Sequence, residues 1–157
     1  MSRFLVALSI VMVAFVSLIT LPARAQNLQD INVHRECTEC GMDRKAYGFS
    51  RMLIIFTDGK EVGVCSLHCA TMVIDNVKGE TVKNLLVADR NTHELIPAEK
   101  AIWVLGGKKR GVMTMRAKWA FTQKGAAEDF IKEYGGEIVN WDDALVAARS
   151  DAMPQGR

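Results

Sequence analysis

Apolar and polar positions after residue 50 fall into two stretches that have the same order of elements. In the first stretch, two strand-like apolar runs at 52–57 and 60–65 flank an Asp-Gly pair, which predicts a β-hairpin. Ser66 is then a suitable N-cap for a helix whose apolar residues recur at helical spacing until Gly79. Residues 81–88 return to strand character, so this stretch predicts the order ββαβ.

The second stretch repeats this order. Strand-like runs at 101–105 and 113–122 are joined by a glycine-rich turn. An amphipathic helical stripe at 126–134 follows and is closed by two glycines. A short strand at 137–140 and a short helix at 141–149 complete the pattern. The chain is therefore expected to have an α+β fold with two ββαβ-like halves, in which helices pack on antiparallel sheet.

The first 25 residues have the pattern of a cleaved secretory signal. Arg3 precedes a long apolar run at 4–21, and Ala23-Arg24-Ala25 matches the small-x-small site of a signal peptidase. The run is long enough to be a retained membrane anchor instead. The peptidase site favours cleavage after Ala25, so we expect a periplasmic protein without a stable membrane anchor.

Removal of this signal changes the length and the charge of the chain. The remaining 132 of 157 residues are predicted to form one domain at 26–150, with a connecting loop at 89–100 and a flexible tail at 151–157. The signal contains Arg3 and Arg24, so 18 of the 20 basic residues remain, against 18 acidic ones. A net charge near zero gives no reason to expect a nucleic acid partner.

Two of the four cysteines form a CxxC motif near the start of the mature chain. Cys37 and Cys40 are three residues apart, so one metal ion or one disulfide can bridge both on a tight turn. Gly41 lets the backbone bend sharply at that point. Met42 then places a thioether beside the two thiols.

The other two cysteines form a CxxxC motif 24 residues later, at the end of the predicted hairpin. Cys65 ends the second strand, and His68 and Cys69 fall in the first turn of the following helix. A helix N-terminus lowers the pKa of a thiol and favours the thiolate that binds metals. Together the two motifs predict a cluster of thiols.

Four interpretations of this cluster compete. Four thiolates would suffice for a structural zinc site, and two disulfides would suit an oxidising periplasm. A thioredoxin-like redox pair is a weaker interpretation, because Cys37 does not follow a buried strand. The fourth interpretation is a Cu(I) site. Spacing alone favours zinc or disulfides over the other two.

Methionines change this weighting towards copper. Met113 and Met115 alternate within the predicted strand 113–122, so their side chains are expected to face the same side of the sheet. Core packing is the alternative explanation, and it is the one we give to Met52 and Met72. Thiolate, thioether and imidazole together form a soft ligand set that favours Cu(I), and zinc gains little from thioethers.

Several of these motifs resemble the NosL family, and the resemblance spans about residues 35–142. The segments that carry it are Cys40-Gly41-Met42, the hairpin through Asp58-Gly59, Val64-Cys65-Ser66-Leu67-His68-Cys69, Thr114-Met115, Ala120-Phe121, Ala127, Phe130 and Gly135-Gly136. NosL proteins are periplasmic Cu(I)-binding accessory factors for nitrous oxide reductase maturation. The resemblance therefore implies copper as cargo, and it implies that Cys40, Met42 and Met115 belong to the copper site.

The chain departs from the family pattern in two ways. Typical NosL proteins are lipoproteins, whereas this signal has no lipid-attachment cysteine. The site is also richer in cysteine than the family minimum. The C-G-M motif followed by C-S-x-x-C is similar to TRASH/YHS-type metal-binding modules as well. Both resemblances indicate metal handling, and the second weakens the link to nitrous oxide reductase and leaves a different copper client open.

We expect a secreted, non-enzymatic protein that binds Cu(I) and passes it to an apo-enzyme or to other copper-handling proteins. The expected metal-site residues are Cys37, Cys40, Met42, Cys65, His68, Cys69, Met113 and Met115. Nitrous oxide reductase is the client that the family resemblance implies. The alternative is a secreted structural or protein-binding module whose four-cysteine site is stabilised by zinc or by disulfides.

Overall fold

Two antiparallel sheets, one from each predicted half, form the framework of the computed structural model, which describes residues 28–152. The signal predicted at 1–25 lies outside the described residues. Within the described part of the chain, no helix is long and apolar enough to cross a membrane.

The first half contains a short N-terminal helix, a four-stranded sheet and one long helix. Its elements are α1 (Gln29–Val33), β1 (Met52–Phe56), β2 (Glu61–Val64), α2 (Leu67–Asn76), β3 (Val82–Ala88) and β4 (Leu95–Pro97). The strand order is β2-β1-β3-β4, with every neighbouring pair antiparallel. The hydroxyl of Ser66 accepts a hydrogen bond from the backbone N–H of Cys69, so Ser66 is the N-cap of α2, as predicted.

The second half contains a three-stranded sheet and two helices. After a 3₁₀ turn at Ala98–Lys100, its elements are β5 (Ile102–Leu105), β6 (Lys118–Phe121), α3 (Lys124–Tyr134), β7 (Glu137–Val139) and α4 (Trp141–Ala152). The strand order is β6-β5-β7, again antiparallel. In both sheets the first strand of the half lies between the second and the third. The predicted α+β fold with two ββαβ-like halves is confirmed.

The main core lies where α2 and α4 pack beside the first sheet, and the cysteines are part of it. Fully buried side chains from both halves meet there, including Met52, Val64 and Trp103. A second cluster of buried residues around Trp119 and Phe130 lies between α3 and the second sheet. The candidate metal ligands of the first half are therefore set in a packed interior.

The predicted strand at 113–122 is wrong in its first half. Only Lys118–Phe121 is a strand, and Met113 lies in an irregular loop with a positive φ of 49°. A Cβ added to Gly111 would lie 2.8 Å from the Cα of Ala117, which shows how closely the loop doubles back on itself. Met113 and Met115 consequently do not alternate on one face of a sheet.

Three smaller differences from the prediction concern the extent of individual elements. Part of the predicted loop at 89–100 is ordered, because β4 pairs with the exposed edge of β3. Helix α1 was not predicted, and it is only five residues long. Helix α4 continues through Ala152, two residues into the predicted tail, because Asp151 pairs with Lys118 on β6.

Candidate metal centre

The CxxC motif forms a tight turn closed by its own backbone. The N–H of Cys37 donates to the carbonyl of Met42 at 2.8 Å, and the N–H of Gly41 donates to the carbonyl of Cys37 at 2.8 Å. Gly41 has a φ of +74°, a conformation that glycine adopts without strain. The turn buries Cys37 and leaves Cys40 half-buried.

The CxxxC motif joins the end of β2 to the start of α2. Cys65 follows the last residue of the strand, and Cys69 lies in the first helical turn, and both are buried. The hydroxyl of Ser50 donates to the carbonyl of Cys65 at 2.8 Å, which holds the backbone of the motif from the other side. The hairpin and the helix cap therefore place these two sulfurs together.

All four sulfur atoms meet within 4.8 Å of one another. The Sγ atom of Cys40 lies 3.5 Å from that of Cys65 and 3.7 Å from that of Cys69, and the latter two are 3.7 Å apart. Three of the sulfurs thus form a nearly equilateral triangle. The cysteines are free thiols, and Cys40 is the one that reaches the surface.

Hydrogen bonds between the thiols of Cys37, Cys65 and Cys69 couple their ionisation. Hydrogen bonds from Cys65 and Cys69 lower the pKa of Cys37, against the opposing effect of burial. The same hydrogen bonds, together with burial, raise the pKa of Cys65 and of Cys69. The hydrogen bonds of Cys65 and Cys69 therefore favour the thiolate form of Cys37. A metal ion would replace the remaining protons, so binding should release them.

The sulfur spacing fits metal binding better than it fits a disulfide pair. A tetrahedral thiolate site with metal–sulfur bonds of about 2.3 Å has sulfur–sulfur distances of roughly 3.8 Å. The measured 3.5–3.7 Å is close to that value. Because the sulfurs converge on a common centre, a metal ion can use them jointly.

His68 is near the thiols in sequence but is not part of their group. Among the described residues, the ligand atoms that lie within 4.8 Å of one another are the four cysteine sulfurs. The Nδ1 atom of His68 is buried and has no hydrogen-bond partner among residues 28–152. His68 lies on the wall of a cavity of about 10 Å³ that Thr114 and Lys118 also line. That volume is enough for about one water molecule.

The three methionines of the predicted metal site, Met42, Met113 and Met115, lie in different environments. Met42 is half-buried and, like Cys40, packs against the main core. Met113 and Met115 lie in the loop before β6, where their side chains are 43% and 88% exposed. A thioether that is exposed to this extent is not core packing, so the alternative explanation for Met115 is wrong.

A buried ion pair that we did not predict holds the loop that contains Met113 and Met115, which we call the methionine loop. The Nζ atom of Lys118 donates to Asp151 at 2.5 Å, to the hydroxyl of Thr114 at 2.7 Å and to the carbonyl of Arg116 at 2.9 Å. Asp151 also accepts from the hydroxyl of Thr114 and, at 3.3 Å, from the N–H of Met115. Lys118 and Asp151 are 33 positions apart, so their pairing left no local signal in the sequence.

A second buried ionic cluster, also not predicted, lies next to the CxxC turn. The carboxylate of Asp30 accepts hydrogen bonds from Arg44 and from Arg51, and all three side chains are buried. Charged residues are seldom fully buried, so the composition and spacing of these three residues did not predict their burial.

Comparisons with known proteins agree with this site and fold. The model of the NosL family matches residues 28–147. The crystal structure of the copper chaperone NosL from Shewanella denitrificans matches with a TM-score of 0.55 and 26% sequence identity, covering 69% of this chain and 87% of that chain. A search of curated proteins found no match. Because the family model covers most of the described domain, the chain belongs to the NosL family.

Proposed function

We propose that this protein is a periplasmic copper chaperone that binds Cu(I) and delivers it to an apo-enzyme. The observation that carries the proposal is the convergence of four free thiols within 4.8 Å, in a fold shared with a copper chaperone. Thiolates are soft ligands that suit Cu(I). The role is that of a carrier, and no chemical conversion is assigned to it.

Delivery requires that the cargo be reached from outside. Cys37, Cys65 and Cys69 are buried, whereas Cys40 is half-buried and is followed by Met42 at the same edge. An incoming ligand of the acceptor can therefore approach the metal beside Cys40. The exposed thioether of Met115 is suited to an early contact with the cargo or with its acceptor.

The copper should be tested in its reduced state. Anaerobic, fully reduced protein is titrated against a chromophoric Cu(I) chelator, and tight competition for the metal is the expected result. A protein that cannot compete with a weak Cu(I) chelator would contradict the proposal. Alkylation of all four thiols before the titration serves as the control and should abolish Cu(I) binding.

Nitrous oxide reductase is the acceptor that we propose, on the ground of family membership. Copper-loaded protein mixed with the apo-enzyme should lose its copper as the enzyme gains its metal-centre absorption. An unrelated periplasmic apo-enzyme of another copper class serves as the control. Equal transfer to both would show that the acceptor is a different or a less specific one.

Export to the periplasm follows from the secretory signal. Cleavage after Ala25 should give an intact mass that corresponds to residues 26–157 without lipid. A full-length, membrane-retained or acylated species would contradict this part of the proposal and leave copper binding unaffected.

A structural zinc site is the second candidate, and the spacing of the sulfurs favours it. The sulfur–sulfur distances among Cys40, Cys65 and Cys69, 3.5–3.7 Å, lie near the roughly 3.8 Å of a tetrahedral zinc–thiolate site. Zinc that remains bound in the presence of equimolar Cu(I) would support this candidate. Displacement of zinc by Cu(I) would support copper as the cargo of the same thiols.

A further inference from the structure

The two cysteine pairs lie on separate segments, so their spacing depends on what joins the CxxC turn to the hairpin. Thr38, inside the turn, donates twice to the carbonyl of Gly63, from its N–H at 3.0 Å and from its hydroxyl at 3.2 Å. Arg44, just after the turn, donates from Nε to the carbonyl of Val64 at 3.2 Å. Val64 is bonded directly to Cys65, so this contact acts one residue from a thiol.

Arg44 is saturated with partners in a fully buried position. Besides Val64, its guanidinium donates to the carbonyls of Asp30, His34 and Met52 and to the carboxylate of Asp30. The side chain is 0% exposed. A guanidinium has five N–H donors in a fixed plane, and Arg44 makes five hydrogen bonds. One side chain thus fixes α1, β1 and the end of β2 relative to the turn.

The hairpin leaves room for this side chain at Gly63. A Cβ atom added there would lie 2.6 Å from Nη1 of Arg44 and 2.5 Å from the Cβ of His34. Neither distance is tolerated between real atoms, so an alanine at this position would push the guanidinium away. The absence of a side chain at Gly63 is therefore what lets Arg44 lie against β2.

We propose that Arg44 is the positioning residue that sets the separation of the two cysteine pairs and thereby the geometry of the metal site. The inference rests on the proposed function in so far as metal is held by these thiols. Groups that orient metal ligands typically change metal affinity about 10–100-fold when they are removed. Lysine cannot make the same set of hydrogen bonds as the guanidinium of Arg44, because an ammonium has three donors and no planar geometry.

The test compares Arg44→Lys with Arg51→Lys. Both variants keep the charge and both lose bonds to the carboxylate of Asp30, but Arg51 also donates to the carbonyls of Gly48 and His93, which lie outside β2. Arg44→Lys should weaken anaerobic Cu(I) binding about 10–100-fold. Arg51→Lys should weaken it less than about 3-fold, measured at equal fraction folded. Equal weakening in the two variants would overturn the proposal.

Co(II) provides a readout that a purely structural role would not move. The d–d absorption of Co(II) bound to thiolates reports coordination geometry, so Arg44→Lys should shift or weaken those bands and Arg51→Lys should leave them as in the wild type. Unchanged bands in Arg44→Lys would overturn the proposal. Wild-type protein that binds Co(II) but not Cu(I) would contradict the proposed function while the comparison between variants still decides the role of Arg44.

Gly63→Ala keeps the result decisive if Arg44→Lys does not fold. This variant retains the guanidinium and its charge but displaces it from β2. It should show the same change in the Co(II) bands and the same direction of change in Cu(I) affinity. Gly125→Ala, in helix α3 where an added Cβ would meet no neighbouring atom within 4 Å, is the control and should leave the bands unchanged. Wild-type bands in Gly63→Ala would overturn the proposal.

Discussion

Replacement of Lys118 by methionine should destabilise the fold severely, and replacement of its partner as well should restore much of the loss. The side chains of Lys118 and Asp151 are 4% and 8% exposed, and their charged atoms are 2.5 Å apart. In Lys118→Met the apolar stem is kept, but the carboxylate of Asp151 remains buried without its cation. Removing one partner of a buried pair typically costs about 3–5 kcal/mol.

The magnitude should lie at the lower end of that range. Asp151 would keep two hydrogen bonds, from the hydroxyl of Thr114 and from the N–H of Met115. We therefore expect a loss of about 3 kcal/mol in the free energy of unfolding for Lys118→Met. The double variant Lys118→Met with Asp151→Leu removes both charges and should lose roughly 1–2 kcal/mol, because an apolar pair avoids the desolvation of the ions.

Urea unfolding of reduced, metal-free protein, followed by far-UV circular dichroism, measures these differences. With a denaturant slope of about 1–3 kcal/mol per M, a loss of 3 kcal/mol lowers the midpoint by roughly 1–3 M. The exposed ion pair of Arg149 with Asp75 is the control, and Arg149→Met should change the free energy by less than about 1 kcal/mol. A double variant that is less stable than Lys118→Met would refute the reasoning.

Three further predictions concern the site and the pH dependence of stability. Met115→Leu should change the free energy of unfolding by less than about 0.5 kcal/mol, because the side chain is 88% exposed. The same substitution should nevertheless lower the affinity for Cu(I). Met52→Leu, in the core, is the control and should leave the affinity for Cu(I) unchanged. Cys40→Ser should weaken Cu(I) binding more than Met115→Leu in the same anaerobic titration, since it removes an anionic ligand rather than a neutral one. Burial opposes ionisation of Asp89 and Asp151, but hydrogen bonds outweigh it and hold both pKa values below the usual range. The stabilisation that these two carboxylates provide is present above the unfolded pKa of about 3.9 and is lost as the pH falls through the lower folded pKa. The midpoint of acid unfolding should therefore move to higher pH in Asp89→Asn. An unshifted midpoint would contradict this prediction.

Elements with strong local signals could be predicted from the sequence. The Asp58-Gly59 pair marked the first hairpin, Ser66 marked the start of α2, and Gly135 marked the end of α3. These signals depend on the backbone conformation of one or two residues, so they act within a short segment of chain. The proximity of Cys65 and Cys69 followed from the same signals, because the hairpin and the helix cap bring them to one place. The contacts of Thr38 and Arg44 that join the CxxC turn to the hairpin left no such local signal.

The methionine loop could not be predicted, because distant side chains decide its conformation. Alternation at 113–122 is typical of a strand, but β6 begins only at Lys118. The hydroxyl of Thr114 accepts a hydrogen bond from the N–H of Arg116, and Asp151 in α4 accepts one from the N–H of Met115, 36 residues away. Side-chain bonds of this kind compete with a sheet ladder and leave no periodic pattern. The burial of Arg44 escaped prediction for the same reason.

A copper carrier has to bind its metal ion tightly and also release it, and the surface position of Cys40 makes both possible. Four converging sulfurs would bind a metal ion tightly, and tight binding opposes delivery. Three of these sulfurs are buried and are held by backbone contacts, so they can change little when an acceptor approaches. Cys40 alone lies at the edge, on a turn that Gly41 makes possible. Exchange of the cargo should therefore proceed by loss of the Cys40 ligand first, while the buried sulfurs keep hold of the metal until the acceptor has bound it.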